Sequence, residues 1–191
     1  MLTKSKYHIS EKVLEEEKLI IELAKKDMRK FSPLYDKYYE QIFRYIYQRL
    51  NSKEIAFDIT SQVFLKAMIK LKDYKHKGVP FTSWLYRIAK SELNNEFIKD
   101  KKSRTINIKK DYVKDLFDEI KERDNSEELK TLLISALEDL DENDLLIIEM
   151  RYFEKRSFKE VGEIMEITEN NAKVKLYRAL DKLKALISNN L

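Results

Sequence analysis

The sequence predicts an all-α fold of two small helical domains, and three observations lead to this prediction. The 191 residues include only two glycines and two prolines, too few for the many tight turns of a β-rich fold. Apolar residues recur every three to four positions on both sides of residues 103–126, as they do along one face of an α-helix. Between these blocks the periodicity fades. We therefore expect one domain at 1–102, a linker at 103–126 and a second domain at 127–191.

The first block opens with two helices. A short leading helix is expected over 11–26, where leucine and isoleucine recur at helical spacing. Ser32 and Pro33 then predict the start of a second helix, because serine is a good N-cap and proline is tolerated at the first helical position. This helix should run over about 33–50, and it carries apolar residues on one face.

Two further helices complete the first block. Ser52 predicts the cap of a third helix over 55–72, in which apolar residues recur every four positions. A charged loop containing Gly78 and Pro80 follows. A fourth helix is expected to begin near Phe81 and to run into a basic cluster around residue 101.

The second block begins near Ser126. One helix is expected around 129–140 and another around 145–153. The linker before them is not wholly polar. Its apolar residues could form a short amphipathic helix, either with Tyr112, Leu116 and Ile120 or with Val113 and Phe117.

Composition excludes several classes of function. With no cysteine and only two histidines, the chain has no thiolate zinc site, no disulfide and little scope for a histidine relay. Two glycines cannot build a phosphate-binding loop. The longest stretch without a charged residue, 78–86, is nine residues, against the roughly 20 that a membrane span needs. We therefore expect a cytoplasmic binding protein without a cofactor or metal, and not an enzyme.

The charge is distributed unevenly along the chain. Residues 25–102 carry 18 basic and nine acidic side chains, whereas residues 127–144 carry one basic and seven acidic. The modest overall charge of +4 therefore conceals a strongly basic first domain. Such asymmetry indicates a polyanionic partner for the basic part, although an ordinary solvated surface would show a similar excess.

Residues 157–187 carry the most specific pattern. Ser157 should cap a short amphipathic helix that includes Gly162, and a tight joint at 166–167 should lead to a second helix capped by Thr168. This is the pattern of a helix-turn-helix, whose second helix enters the major groove of DNA. The outward face of that helix is polar and basic: Asn170, Asn171, Lys173, Lys175, Tyr177, Arg178 and Lys182. These side chains can hydrogen-bond to base edges or phosphates. The alternative is a plain αα-hairpin with a basic solvated face.

Both blocks resemble a bacterial RNA polymerase sigma factor of the sigma-70 family, extracytoplasmic-function type. The resemblance rests on the runs 140–179 in the second block, and 31–45, 56–67 and 80–89 in the first, which contain motifs such as Met150-Arg-Tyr-Phe and Pro80-Phe-Thr-Ser-Trp-Leu-Tyr-Arg. It covers about residues 28–102, corresponding to region 2, and 129–187, corresponding to region 4. It implies a region 2 helical bundle and a four-helix region 4 domain with the helix-turn-helix.

The resemblance also implies partners and site residues. The helix at 55–72 would clamp a coiled coil of the largest polymerase subunit, and region 4 would meet the polymerase flap. The implied polymerase contacts are Asp58, Gln62, Phe64, Leu65 and Lys66. The second helix of the helix-turn-helix would read the −35 promoter element, with Thr168 and Val174 added to the residues named above.

The loop after residue 73 and the fourth helix would open the −10 element and hold a flipped base of the non-template strand. Flipping costs a few kcal/mol of unstacking, which a pocket and a basic groove must offset. The implied residues are Tyr74, Lys75, His76, Lys77, Trp84, Arg87, Lys90, Ser91, Asn94, Asn95 and Lys99.

Several of these residues have a structural alternative. Trp84 lies on an apolar face and is more often a core residue than a stacking platform. Tyr38 and Tyr39 fit domain packing better than DNA contact. His76 in a charged loop fits a surface residue equally well. Glu92 and Glu96 are interpreted as helix-surface carboxylates rather than an acid–base pair.

The chain also departs from the family pattern at three places. Ser61-Gln62 stands where Gln-Glu is common, and Glu166 stands where the joint usually has glycine. The joint must therefore accept a residue with a side chain at positive φ. Ala172 and Val174 replace the usual larger apolar and small hydroxyl residues of the second helix.

The sequence thus predicts a sigma factor that binds core RNA polymerase and promoter DNA and helps to open the −10 strand. The partners include core polymerase, promoter DNA and an anti-sigma factor if one exists. The main alternative is a free-standing helix-turn-helix regulator. A remoter one is an inactive decoy or adaptor, for which a basic −10 face would serve no purpose.

Overall fold

The computed structural model describes residues 10–50, 52–100, 116 and 127–188. Within these ranges there are eight α-helices and no strand, which confirms the predicted all-α class. The helices are α1 (Glu11–Lys26), α2 (Ser32–Tyr47), α3 (Lys53–Lys70), α4 (Phe81–Asp100), α5 (Glu127–Glu138), α6 (Glu142–Ile148), α7 (Phe158–Met165) and α8 (Glu169–Ser188). The chain divides into two compact units, one built around α1–α4 and the other around α5–α8.

The start of α2 differs from the prediction that Ser32 caps it. Ser32 is already in helical conformation and its hydroxyl donates to the Asp36 carboxylate at 3.1 Å, while Phe31 occupies the N-cap position. The cause is a 3₁₀ turn, Met28–Phe31, that runs directly into α2. The side chain of Asp27 caps this turn by accepting from the backbone N–H of Arg29 at 3.1 Å. The chain is therefore already helical before Ser32, and serine is not needed as a cap.

The first unit is built around α3, which packs against α2 and α4. Ser52 caps α3 as predicted, with its hydroxyl accepting from the backbone N–H of Ile55 at 3.3 Å. Small and branched apolar residues of α3, among them Ala56, Val63 and Ala67, are fully buried. Such side chains allow neighbouring helices to approach closely. A 3₁₀ turn, Leu71–Asp73, then leads into the loop before α4.

The second unit is built around α8, against which α5 and α6 pack. Asp141 caps α6 by accepting from the backbone N–H groups of Asn143 and Asp144 at 3.1 and 3.0 Å. The helix predicted to continue to residue 153 changes at Glu149–Phe153 into a π-helical turn. Periodicity does not reveal such a turn, because it shifts the helical register by only one residue.

Most of the predicted linker lies outside the described residues. Leu116 is described, and it is fully buried. Tyr112, Val113, Phe117 and Ile120, the other members of the suggested amphipathic helix, lie outside the description.

Candidate nucleic-acid and polymerase interfaces

The helix-turn-helix begins at a reciprocal cap. The Ser157 hydroxyl accepts from the backbone N–H of Glu160 at 3.2 Å, and the Glu160 carboxylate accepts from the backbone N–H of Ser157 at 2.9 Å. Glu160 also pairs with the buried Arg156 at 3.0 Å. Two orphan donors of α7 are thereby satisfied by residues three positions apart, which is the capping box that its sequence encodes.

The joint between α7 and α8 is built from backbone. Glu166 adopts the left-handed conformation, with φ 59° and ψ 39°, as its place at the turn predicted. The backbone N–H of Ile167 donates to the Gly162 carbonyl at 2.9 Å. A Cβ atom at Gly162 would lie only 2.8 Å from the Ile167 carbonyl oxygen, so that only glycine leaves room for the joint.

The amino terminus of α8 also has a local cap. The Thr168 hydroxyl accepts from the backbone N–H of Asn171 at 3.2 Å. The inner face of α8 is buried over its whole length by six alanine, leucine and isoleucine residues. The helix is thereby held by its apolar face and presents the opposite face to solvent.

Most of the predicted −35 residues share this solvent face. Val174 and Tyr177 are 42% and 60% exposed. The other exposed members are Thr168, Asn170, Asn171, Lys173 and Arg178. Lys173 also pairs with Glu169 at 3.2 Å, one helical turn away. Side chains of this kind at the amino-terminal part of a helix are those with which a helix-turn-helix contacts DNA.

Two predicted −35 lysines are instead paired with α6. Lys175 contacts Asp144 at 3.0 Å, and Lys182 contacts Asp141 at 3.0 Å as well as Asp144. Hydrogen bonds to Asp144 and Asp141 raise the pKa of Lys182. The Asp144 side chain is only 4% exposed, so this carboxylate requires a cation to compensate its charge. Lys175 and Lys182 therefore tie α8 to α6 in this structure.

The predicted polymerase contacts on α3 separate into two groups. Asp58, Gln62 and Leu65 are exposed at helical spacing on one face, and Leu65 is 56% exposed. The predicted polymerase contact at Phe64 is wrong, because this side chain is only 2% exposed. Its ring packs on Tyr35 and Tyr39 with centroid distances of 4.8 and 6.0 Å. It supports the α2–α3 face from within and does not form a surface contact.

Lys66 is also tied to another helix. Its ammonium donates to the Glu92 carboxylate on α4 at 2.6 Å. Glu92 was interpreted as a surface carboxylate, and this interpretation is wrong, since its side chain is 7% exposed. The pair instead links α3 to α4. Glu96 on the next turn is half-buried.

The loop before α4 presents a mixture of buried and exposed residues. Lys75 and Lys77 are exposed, whereas His76 is half-buried and its Nδ1 accepts from the backbone N–H of Gly78 at 3.2 Å. Gly78 has a φ of 66°, which favours glycine.

Tyr74, by contrast, was predicted to contact DNA at the surface, and the structure corrects this prediction. It is 7% exposed, and its ring packs on Phe81 and Trp84 with centroid distances of 5.2 and 4.7 Å. Burial raises the pKa of the Tyr74 hydroxyl, and the charge of Glu17 adds to the shift. Tyr74 therefore supports the loop from beneath.

The remaining predicted −10 residues follow one face of α4. Trp84, Arg87, Lys90 and Asn94 are half-buried, and Ser91 and Asn95 are exposed. Trp84 combines both interpretations, because its ring packs on Phe81 and Tyr74 but is not fully enclosed. The side chain of Lys99 lies outside the described part.

Sequence reasoning missed two residues near this face. Ser83 is 1% exposed, its hydroxyl has no hydrogen-bond partner, and it lines a recess together with Lys70, Trp84 and Arg87. Glu17 on α1 is 2% exposed. A signal for Glu17 was present, since it lies one turn before Ile21 and two before Ala24 on the buried stripe of α1.

Among the described residues, no group of histidine, cysteine, aspartate and glutamate side chains is arranged to hold a metal ion. Within the same part of the chain, no helix is long and apolar enough to cross a membrane.

Comparison with known proteins gives the family. The sequence profile of Sigma-70 region 2 matches residues 34–103, and that of Sigma-70 region 4 matches residues 136–185. The ECF RNA polymerase sigma factor SigM of Bacillus subtilis is 29% identical over 154 residues, which cover 80% of this chain and 92% of SigM.

Two solved structures share the fold. CnrH in complex with the cytosolic domain of CnrY matches with a TM-score of 0.58 at 17% identity, over 92% of this chain and 99% of CnrH. The sigma factor RpoE of Bartonella quintana in complex with the anti-sigma factor NepR matches with a TM-score of 0.54 at 15% identity, over 83% of this chain and 96% of RpoE. The two family profiles together match more than half of the chain. The chain therefore belongs to the sigma-70 family of RNA polymerase sigma factors and is of the extracytoplasmic-function type.

Proposed function

We propose that this chain binds core RNA polymerase and directs it to promoters, reading a −35 element with α8 and opening the −10 element with α4 and the loop before it. The observation that carries the proposal is that both family segments occur in one chain in the family's order. A free-standing helix-turn-helix regulator would need only the second. The chain itself performs no covalent chemistry, since catalysis belongs to the polymerase. We expect it to act in the cytoplasm, where the polymerase works.

The solvent face of α8 supports the −35 role. Asn170, Asn171 and Arg178 are all exposed on it. Asparagine can hydrogen-bond to both edge atoms of adenine, and arginine to those of guanine. Because Lys175 and Lys182 are paired with Asp144 and Asp141, we assign them the positioning of α8 and assign base and phosphate contact to the residues on the exposed face.

The basic surface of the first unit supports the −10 role. Lys75 and Lys77 are exposed in the loop, and Arg87 and Lys90 lie on α4 behind it. A melted strand carries one negative charge per nucleotide, so cations along its path lower the cost of holding it open. The half-buried Trp84 ring lies at the same place and packs on the buried Tyr74 ring, and an unstacked base could rest on Trp84.

The exposed face of α3 supports the polymerase contact. Asp58, Gln62 and Leu65 share this face, and they combine a carboxylate, an amide and an apolar side chain. Mixed surfaces of this kind are usual at transient protein interfaces. Phe64 lies beneath them and holds α3 against α2.

We propose the domain boundaries that the sequence predicted, 1–102, 103–126 and 127–191, with region 2-like and region 4-like functions in the first and last. An anti-sigma factor is a further proposed partner. It is supported by the RpoE structure from Bartonella quintana, a sigma factor solved with the anti-sigma factor NepR.

Reconstitution with bacterial core polymerase tests the proposal. Fragments of the source genome are transcribed with core alone, with this chain alone and with both, and the transcript 5′ ends are mapped. We expect specific start sites only when both are present. Tight binding of duplex DNA by the chain alone, with no specific initiation in the presence of core, would overturn the proposal in favour of the free-standing regulator.

A matched pair of variants on α8 tests the −35 assignment. Each removes one cation: Arg178→Ala from the exposed face, and Lys182→Ala from the pair with Asp144. We expect Arg178→Ala to weaken −35 binding by about 1–3 kcal/mol and to lower its salt dependence, whereas Lys182→Ala leaves the salt dependence unchanged. Anisotropy titrations of the holoenzyme at several salt concentrations measure both. An equal loss of salt dependence in the two variants would place Lys182 on the DNA.

A further inference from the structure

The amino terminus of α4 lacks a cap from its own sequence. Val79 and Pro80 precede Phe81, and neither has a side chain that can accept a hydrogen bond. Proline also has no N–H, so the backbone N–H of Phe81 is the first donor that the helix must satisfy. Helix termini that are buried without a partner are strongly disfavoured, and Phe81 is fully buried.

The missing acceptor comes from α1. The Glu17 carboxylate Oε2 accepts from the backbone N–H of Phe81 at 2.5 Å, although the two residues are 64 positions apart. Its Oε1 accepts from the Tyr38 hydroxyl and from the Lys37 ammonium, the latter at 3.0 Å. One buried carboxylate therefore joins α1, α2 and the start of α4. A negative charge at this end of α4 is also favoured by the helix dipole.

The start of α4 in turn fixes the aromatic residues of the proposed −10 surface. The Phe81 ring packs on Tyr74 in the preceding loop and on Trp84 one turn into α4, with centroid distances of 5.2 and 5.4 Å. The Tyr38 ring, whose hydroxyl donates to Glu17, also packs on Phe81, with a centroid distance of 6.4 Å. Phe81 thus connects Glu17 to both aromatic residues, because its backbone N–H donates to Glu17 and its ring packs on Trp84 and Tyr74.

We infer that Glu17 is a positioning residue for promoter opening, and that it holds the start of α4 so that Trp84 and the preceding loop meet the melted −10 strand in a fixed geometry. This inference rests on the proposed function. It goes beyond the family match, because α1 precedes the matched segment, which begins at residue 34. Glu17 itself is 2% exposed, so we assign it no direct contact with DNA or polymerase.

The test uses an isosteric variant and a matched control. Glu17→Gln keeps the shape of the side chain, but it removes the charge that strengthens the hydrogen bonds and replaces one of the two acceptor oxygens with an NH2 donor. Glu16→Gln makes the same change at the next residue of α1, where the side chain is 61% exposed. The only tryptophan in the chain is Trp84, so its fluorescence reports on the start of α4 in the full-length protein.

We expect Glu17→Gln to slow promoter opening about tenfold at saturating core polymerase, the size of effect that the loss of one charge-assisted hydrogen bond produces. Core affinity should stay within about twofold, because the groups that Glu17 binds lie on α2 and at the start of α4 and not on α3. Acrylamide quenching of Trp84 should increase. Glu16→Gln should match the wild type in all three measurements. 2-Aminopurine fluorescence at the −10 element follows the opening.

The inference would be overturned if Glu17→Gln opened the promoter at the wild-type rate. It would also be overturned if core affinity fell by the same factor as the rate of opening. The proposed function would stand in both cases. If the wild type with core opens no promoter, the proposed function fails and the inference fails with it. If circular dichroism shows that Glu17→Gln is unfolded, Tyr38→Phe takes its place. This variant removes one donor to Glu17 but keeps the ring on Phe81, and it should slow opening about threefold. No slowing in that variant would equally overturn the inference.

Discussion

The two helices proposed to contact DNA have their amino termini held in different ways. Helix α8 is capped by Thr168, three residues from the amide that it satisfies, and α7 before it has a capping box of the same span. Helix α4 is capped by Glu17 from another helix, 64 residues away. A local cap forms with the helix, whereas a remote cap exists only when the whole first unit is folded. The amino-terminal cap of the −35 helix is therefore encoded locally, and that of the −10 helix depends on tertiary structure.

The largest expected effect is that of Glu17→Ala. This change removes the acceptor of the buried Phe81 N–H, takes one partner from the Tyr38 hydroxyl and opens a cavity, so we expect the first unit to lose about 3 kcal/mol of unfolding free energy. Denaturant titration followed by Trp84 fluorescence measures it. The exposed neighbour Glu16→Ala is the control and should change the free energy by less than about 0.5 kcal/mol. If the two variants lost the same unfolding free energy, the remote cap at Glu17 would contribute no more to stability than an exposed side chain does.

The same distinction explains how much could be read from the sequence. The approximate positions of the eight helices, the caps at Ser52, Ser157 and Thr168 and the positive φ of Glu166 were predicted, because each depends on residues near it in the sequence. Periodicity assigns a residue to a face of its own helix, but it does not indicate which residues of other helices that face contacts.

The errors involve partners far along the chain. Glu92 was placed on the surface because nothing near it in the sequence indicates its partner, Lys66, which is 26 residues away. The DNA assignment of Lys182 is still a prediction, but its ion pair with Asp144, 38 residues away, was not foreseen. Phe64 was assigned to the polymerase contact, but its ring is buried against Tyr35 and Tyr39 of α2. Such pairs depend on how helices pack, which a single sequence does not specify.

Gly162→Ala tests whether the helix-turn-helix tolerates any change at its joint. The added Cβ would lie 2.8 Å from the Ile167 carbonyl oxygen, and backbone cannot move aside as a flexible side chain can. We expect a loss of about 2 kcal/mol in the second unit, because the overlap outweighs the higher helix propensity of alanine. Hydrogen exchange of α8 amides reports the loss. A gain in protection would mean that the joint shifts freely, and the −35 surface would then not be fixed by local backbone.

Thr168→Ala measures the local cap itself. The variant removes the acceptor for the Asn171 N–H, which lies at an exposed helix end where water can replace it, so we expect a loss of about 1 kcal/mol in the second unit. The same exchange measurement applies, and Thr168→Ser should restore most of the protection because it keeps the hydroxyl. A loss as large as that of Glu17→Ala would contradict the view that local caps are the weaker ones.

The smallest expected effect has the opposite sign. Glu166 stands in the left-handed region with φ 59°, where a residue with a Cβ is strained and glycine is not. Glu166→Gly should therefore stabilise the second unit by about 0.5–1 kcal/mol, the relief of strain exceeding the extra chain entropy of glycine in the unfolded state. Asp181→Gly, an exposed change inside α8, is the matched control and should destabilise by about 1 kcal/mol. If both variants destabilise, Glu166 stabilises the joint through its side chain. Glu17 and Glu166 would then be alike, each an acidic residue required where the local backbone alone does not fix a helix end.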